Sequence, residues 1–332
     1  MIYKKVFQSD KNISCIGIGA LHFGTFTNEE NARLIIDFAI EEGINYFDTA
    51  PMYGNSNSEK ILGSILKKNR KKVMIGSKIG LRTIGSGKNS KAESIKLNKE
   101  NIELSINNTL KSLQTDYIDY YQLHYFDNST PLIETLQALK KEKEKGKILN
   151  IGVCNYEKAN LLELFKLKNI SNIVTGLHCH YNIIERRLEK ELLNIISEKK
   201  ISLLCFQVFA RGFLTGKYSY NQKIQENTRA FNSRRFDRFF KKEMFDSINK
   251  IQAILNKYEC SLKEAALTWL VNKDYVTCGV IGFRNLEQTK EILNILKKKN
   301  DLKMIEEIDN IISADSLLSN YIYNFPNPFM EY

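Results

Sequence analysis

Four polar residues stand where apolar runs stop. Asp48 follows Asn45-Tyr46-Phe47, Tyr53 lies five residues on, Lys78 closes Val73–Lys78, and His124 closes Ile118–His124. An ionised lysine in so packed a position is costly without a counter-charge, and Asp48 can supply one. The pair then sets a positive charge beside whatever it faces. Facing Tyr53, it is expected to favour the phenolate and lower the phenol's pKa. A tyrosine tuned in this way can donate a proton to an oxygen that is becoming an alkoxide, and His124 can orient that oxygen by a hydrogen bond. These residue types suit the polarisation of a carbonyl, with neither metal nor nucleophile required. Singly, each has a plainer explanation as a loop cap, a packing aromatic or a structural histidine. Their recurrence at successive apolar ends is what carries the reading.

Such residues meet only if the chain brings those ends to one place. Strand-like and helix-like stretches alternate along it. After an opening hairpin over Tyr3 to Ser14, eight runs read as buried strands: Cys15–Gly19, Asn45–Asp48, Val73–Lys78, Ile118–His124, Ile148–Val153, Ile173–His178, Ser202–Phe206 and Val276–Ile281. Helical patterns lie between them, among them Glu29–Glu42, Asn98–Leu113, Glu189–Lys199, Leu262–Val271 and Leu286–Leu296. Ser56-x-x-Glu59 reads as a capping box opening another helix, and the Gly/Ser/Lys-rich stretch leading to Lys96 reads as a loop. Eight such units with no linker predict an α/β protein, a (β/α)8 TIM barrel forming one domain over 1–332. An open sheet fits less well. Gly17-Ile18-Gly19-Ala20-Leu21 lacks the third glycine of a dinucleotide fingerprint, and no helix follows it at once. Chemistry then belongs at the carboxyl ends of the strands.

Composition bounds the alternatives. With 332 residues, 43% hydrophobic and 11% aromatic, the chain is no disordered polymer; with 17 Gly, 4 Pro and 6 Cys it is neither collagen-like nor a disulfide scaffold. No apolar run approaches a membrane span, and no h-region follows the first lysines. The cysteines at 15, 154, 179, 205, 260 and 278 form no CxxC pair, so reduced thiols and a cytoplasmic location are expected. The net charge is +11, yet the clusters Lys67–Lys72, Lys140–Lys147, Lys199-Lys200 and Lys297–Lys299 each close a helical pattern, where cations complement the helix dipole. Neither nucleic acid nor membrane is expected as a partner. His178-Cys179-His180 is a conceivable metal pair, but no third ligand is near in sequence, and no metal is expected.

Several stretches carry a family resemblance. Gly43-Ile44-Asn45-Tyr46-Phe47-Asp48-Thr49-Ala50-Pro51-Met52-Tyr53-Gly54, continuing through Ser58-Glu59-Lys60-Ile61-Leu62-Gly63, resembles the hallmark segment of the aldo-keto reductases. Asp116 to His124, Gly146 to Val153 and Arg211 to Lys217 do so too, in the expected order, and the likeness runs from about Cys15 to Leu296. It implies a (β/α)8 barrel binding NADP(H) across the strand ends. It also implies Tyr53 as general acid, Lys78 and Asp48 tuning it, and His124 orienting the carbonyl of an aldehyde, ketone or keto-sugar.

For the cofactor the resemblance implies Leu21, then Cys154 in place of the usual serine, Asn155 on the carboxamide, and His178 in place of a glutamine. Phe206 replaces a tyrosine but keeps the flat face that stacking uses. Gln207-Val208-Phe209 stands for Ser-Pro-Leu. Gly282, Arg284 and Gln288 match the adenosine-phosphate end, with Ile292 where an asparagine is usual, and Arg284 suits a 2′-phosphate. Segment 207–246 holds nine Lys and Arg against four Asp and Glu. It is either a solvated loop or a strap over the pyrophosphate, with Arg211, Gly212 and Lys217 on the phosphate side. His22, Phe23, Phe26, Met52, Tyr125 and Phe126 are expected to shape the substrate pocket. The alternative is a cofactor-binding regulatory subunit resembling the potassium-channel β subunits, against which the lack of an interaction segment before Tyr3 speaks. The aromatic tail Ser313–Tyr332 is expected to be ordered against the barrel wall, the pocket mouth or a second subunit. The oligomeric state stays open.

Overall fold

The computed structural model describes residues 1–6, 10–84, 91–224, 226, 230–231, 240–298 and 301–314, the last two by backbone alone. Its strands, in chain order, are β1 (Tyr3–Lys5), β2 (Asn12–Ser14), β3 (Ile16–Gly19), β4 (Tyr46–Asp48), β5 (Met74–Ile79), β6 (Leu81–Ile84), β7 (Lys91–Ser94), β8 (Ile118–Leu123), β9 (Ile148–Cys154), β10 (Val174–His180), β11 (Ser202–Phe206) and β12 (Cys278–Ile281). Eight of them close into a parallel barrel in the order β3-β4-β5-β8-β9-β10-β11-β12, with β12 pairing back onto β3. Helices follow the strands as crossovers. Their starts are fixed locally: Asn28 and Asn98 accept from the backbone N–H three residues on, and Ser261 forms a reciprocal box with Glu264.

The box expected at Ser56 does not form. Ser56 sits at the helix N-cap with a left-handed φ of 65°, and its hydroxyl donates to the Pro51 carbonyl at 3.2 Å. Glu59 turns inward instead, accepting from Ser77 Oγ at 2.8 Å and Thr109 Oγ1 at 3.1 Å. A tertiary partner outbids the local one. The stretch before Lys96 also departs from expectation, because β6 and β7 pair there as an antiparallel hairpin beyond the end of β5. The helix expected over Glu189–Lys199 is two short pieces, Arg187–Glu191 and Leu193–Glu198.

The barrel interior is filled from below by Val6 and Ile13 of the opening hairpin, then by Tyr46, Met74, Tyr120, Leu204, Cys278 and Val280. Lys4 anchors that floor, donating to the carbonyls of Val271, Lys273 and Val276 at 3.1, 3.0 and 2.7 Å. The two interior tyrosines fit only because they face glycines. A Cβ on Gly76 would overlap the Tyr46 hydroxyl, and one on Gly176 would overlap that of Tyr120. The threaded Tyr46 hydroxyl thereby reaches Asp48 at the barrel mouth. The aromatic tail lies outside the described residues from 315 on, as does much of the segment between 225 and 239.

Candidate active site

Asp48 ends β4 in register with Gly76 of β5, and Lys78 stands two residues further along β5. Both are almost fully inaccessible, at 3% and 1%, so neither charge would be tolerable unpaired. The Lys78 ammonium donates to Asp48 Oδ2 at 2.5 Å and to the Thr49 carbonyl at 2.9 Å. The other carboxylate oxygen accepts from Tyr46 Oη and Gln122 Nε2, each at 3.3 Å. Tyr53 sits in the loop after β4, held by its own N–H on the Ala50 carbonyl at 2.9 Å. Lys78 Nζ lies 5.1 Å from the centre of its ring. The His124 ring stands edge-on to Tyr53 at 6.3 Å and stacks on Tyr125 at 5.3 Å. The four residues singled out by type thus share one place.

The electrostatics differ in sign from expectation at one of them. Burial pushes the Tyr53 phenol up to about 12; Lys78 pulls the other way and is outweighed. With its pKa raised in this way, the phenol is held as the neutral acid. Burial also works against the Lys78 proton, but Asp48 and then Tyr53 hold its pKa above the ordinary value. Burial, with help from Lys78 and His178, keeps His124 well below its usual range and hence neutral.

These side chains open on a cavity of about 830 Å³. Every residue assigned to the cofactor from the sequence lines it: Leu21, Cys154, Asn155 and His178, then Phe206, Gln207, Phe209, Arg211, Gly212 and Lys217, and finally Gly282, Arg284 and Gln288. His178 is in register with Cys154 and lies 3.8 Å from Asp48. It meets Phe206 edge-on at 5.0 Å. Among the described residues neither of its buried ring nitrogens has a hydrogen-bond partner, and burial pushes its pKa down to about 4 against the pull of Asp48. An orphaned buried donor and acceptor beside an aromatic face suit a flat ligand bearing an amide.

Asn155 has a left-handed φ of 58°, and its amide donates to the His124 carbonyl at 3.2 Å. Arg211 reaches the cavity already paired, with Glu185 at 2.6 Å and His180 Nδ1 at 3.2 Å. A phosphate would therefore meet half of an ion pair there, rather than a lone cation. Lys217 packs over the Tyr218 ring at 5.0 Å.

Of the expected substrate residues, His22, Met52 and Tyr125 line the cavity. Phe23 is fully buried in the core and Phe126 packs against Tyr156 at 5.3 Å, so neither shapes it. Phe26 stands outside, against Arg284. In their place the β6–β7 hairpin supplies Leu81, Thr83, Lys91 and Ala92. Among the described residues no three His, Cys, Asp or Glu are grouped to hold a metal, and no helix is long and apolar enough to cross a membrane.

The family model described as "Aldo/keto reductase family" matches residues 15–313. The chain belongs to that family. Aldo-keto reductase YhdN of Bacillus subtilis is 29% identical over 94% of this chain and 95% of its own. Protein tas of Escherichia coli is 26% identical over 99% and 100%. A solved aldo-keto reductase of Bacillus halodurans, in its holo form, superposes with a TM-score of 0.77 at 27% identity, covering 94% of this chain and 96% of that one. A glycerol dehydrogenase of Gluconobacter oxydans shares the fold, with a TM-score of 0.81 at 23% identity and 98% coverage of both. As an aldo-keto reductase the protein is an oxidoreductase of small carbonyl compounds in a family that works with nicotinamide dinucleotides.

Sequence reasoning passed over Tyr46 and Gln122, the two donors that hold the second oxygen of Asp48. Tyr46 opens β4, two residues before its end, and Gln122 lies one residue before the end of β8, where both read as interior filling. Their signal was available: Tyr46 precedes Asp48 by two, which in a strand places both side chains on one face.

Proposed function

We propose that this aldo-keto reductase reduces an aldehyde, ketone or keto-sugar to the alcohol, or runs the reverse reaction, using NADP(H). The observation that carries the reading is the buried Asp48–Lys78 pair beside Tyr53 and His124 at the mouth of one cavity. Bound at that mouth, the nicotinamide supplies or accepts the hydride. The Phe206 face, the unpartnered nitrogens of His178 and the Asn155 amide are the groups suited to hold it. Tyr53 keeps its proton until the substrate oxygen gathers charge, then delivers it from Oη. The Lys78 ammonium stabilises the phenolate left behind, and Asp48 keeps that ammonium charged. Neutral His124 donates an N–H to the same oxygen and so aligns the carbonyl. Arg284, in the lining of the same cavity, is the residue suited to a 2′-phosphate, through charge-assisted and bidentate contacts.

The test is turnover of NADPH against reactive aldehydes, ketones and keto-sugars, followed by nicotinamide absorbance. Oxidation of NADPH dependent on added carbonyl is expected. Cofactor binding without turnover on any member would sink the reading.

A further inference from the structure

Phe26 is more exposed than any other large apolar side chain described, at 69%. Simple hydrophobicity would fold it inward. Its loop instead holds it out. The His22 carbonyl accepts from Thr27 N at 2.9 Å, Thr25 Oγ1 at 3.0 Å and Thr25 N at 3.2 Å, and Gly24 N donates to the Thr27 carbonyl at 2.9 Å. Residues 22–27 therefore close on themselves, with Phe26 on the outer side.

Among the described residues the ring meets a cation and an aromatic. The Arg284 guanidinium carbon lies 4.9 Å from its centre, and the His22 ring stands edge-on at 5.6 Å. Thr27 Oγ1 donates to the Arg284 carbonyl at 3.3 Å, and Arg284 N donates to Gln288 Oε1 at 3.1 Å. The loop after β3 is thus clasped to the loop after β12 at Arg284, backbone and side chain alike.

We propose that Phe26 is a positioning residue for cofactor choice, fixing the plane of the Arg284 guanidinium so that its edge meets a phosphate on the adenosine end of the dinucleotide. This rests on Arg284 being the 2′-phosphate residue. Stacking uses the face of a guanidinium, whereas a phosphate uses its edge, so the two contacts are compatible. Arginine is otherwise a side chain of high rotamer entropy, and ordering it before the ligand arrives lowers the cost of binding.

The experiment measures dissociation constants of NADPH and NADH by nicotinamide fluorescence for wild type, Phe26→Leu, Phe26→Tyr and Arg284→Ala, with thermal melting as the control on folding. Phe26→Leu is expected to weaken NADPH about two- to five-fold, the worth of an exposed cation–π contact. NADH and the melting temperature should not move, and Phe26→Tyr, which keeps the face, should bind like wild type. An unchanged NADPH affinity in Phe26→Leu overturns the proposal. So does an equal change for both dinucleotides, which would mean that Phe26 acts on their shared part. Arg284→Ala separates the two levels. Equal losses of NADPH and NADH there remove the 2′-phosphate role itself, whereas a selective NADPH loss with an unaffected Phe26→Leu removes only the role of Phe26.

Discussion

Two carboxylates organise two regions of this molecule, and they are surrounded differently. Asp309, on the helix Leu302–Ala314, is a closed hub. Its Oδ1 accepts from Arg186 at 2.8 Å and Trp269 Nε1 at 2.9 Å, its Oδ2 from Lys273 at 2.6 Å. Arg186 is paired in turn with Glu189 at 2.8 Å. Donors match acceptors, and the outer helix is pinned to the barrel. Asp48 is equally well bonded, yet the ring around it is left open. His178, with its Nδ1 3.8 Å away, has two ring nitrogens that no described residue answers, and Tyr53 keeps a proton that burial makes hard to remove. A structural hub spends all its polar capacity on the fold; this second hub keeps some of it facing a cavity.

That contrast can be broken at its strongest point by Tyr53→Phe. The loss should be about 10²–10⁴-fold in kcat, with an unchanged melting temperature and unchanged dinucleotide binding; steady-state kinetics with a fluorescence titration reads all three. Wild-type turnover would place the acid elsewhere.

The open hub also predicts a pH signature. His178 has a folded pKa of about 4, below the roughly 6.5 of an unfolded histidine. Between those values the unfolded chain binds the proton and the folded chain does not. The stability is therefore fully present above about pH 6.5 and is lost as the pH falls toward 4. Between pH 7 and pH 5 the loss from this residue is about 2 kcal/mol, and neutral His124 adds in the same direction. Denaturant melts of the ligand-free protein should show a shallower pH dependence in His178→Gln than in wild type. Identical slopes would mean that His178 is solvated.

The smallest effect sharpens the comparison from the other side. Asp309→Asn should cost about 1–2 kcal/mol in unfolding free energy, less than a fully buried pair because Asp309 is 29% exposed. It should leave kcat per folded molecule alone. A fall in kcat would show that the closed hub reaches the chemistry.

The barrel strands were legible because each is a short run buried on both faces, as in β3 and β5, bounded by polar or glycine residues. The β6–β7 hairpin was not. Its strands are half-exposed and its composition is that of a loop, so no alternation announces it. Asp48, Tyr53, Lys78 and His124 could be read from type and position. The direction of the Tyr53 shift could not, since spacing identifies the neighbouring cation but says nothing of how much water the fold removes. Ser56 and Glu59 failed for a related reason: Ser77 and Thr109 are 18 and 50 residues from Glu59 along the chain. Phe26 looked like pocket lining by its neighbours in sequence, and the turn around the His22 carbonyl sends it outward instead.

The thiols offer a clock. Cys15, Cys154, Cys179, Cys205 and Cys278 are buried within the barrel wall and mouth, whereas Cys260 is partly accessible. Burial raises the pKa of all six, to about 11 for Cys260 and about 12 for Cys154, so the five buried thiols combine little thiolate with little access to an alkylating reagent. Labelling of Cys15, Cys179, Cys205 and Cys278 must then wait for the wall to part, and its rate, set against Cys260 as an internal standard in the same tube, times how often each sector of the barrel opens. Cys154 faces the cavity, so slower labelling there alone on adding NADPH would report occupancy of the mouth without any need for turnover.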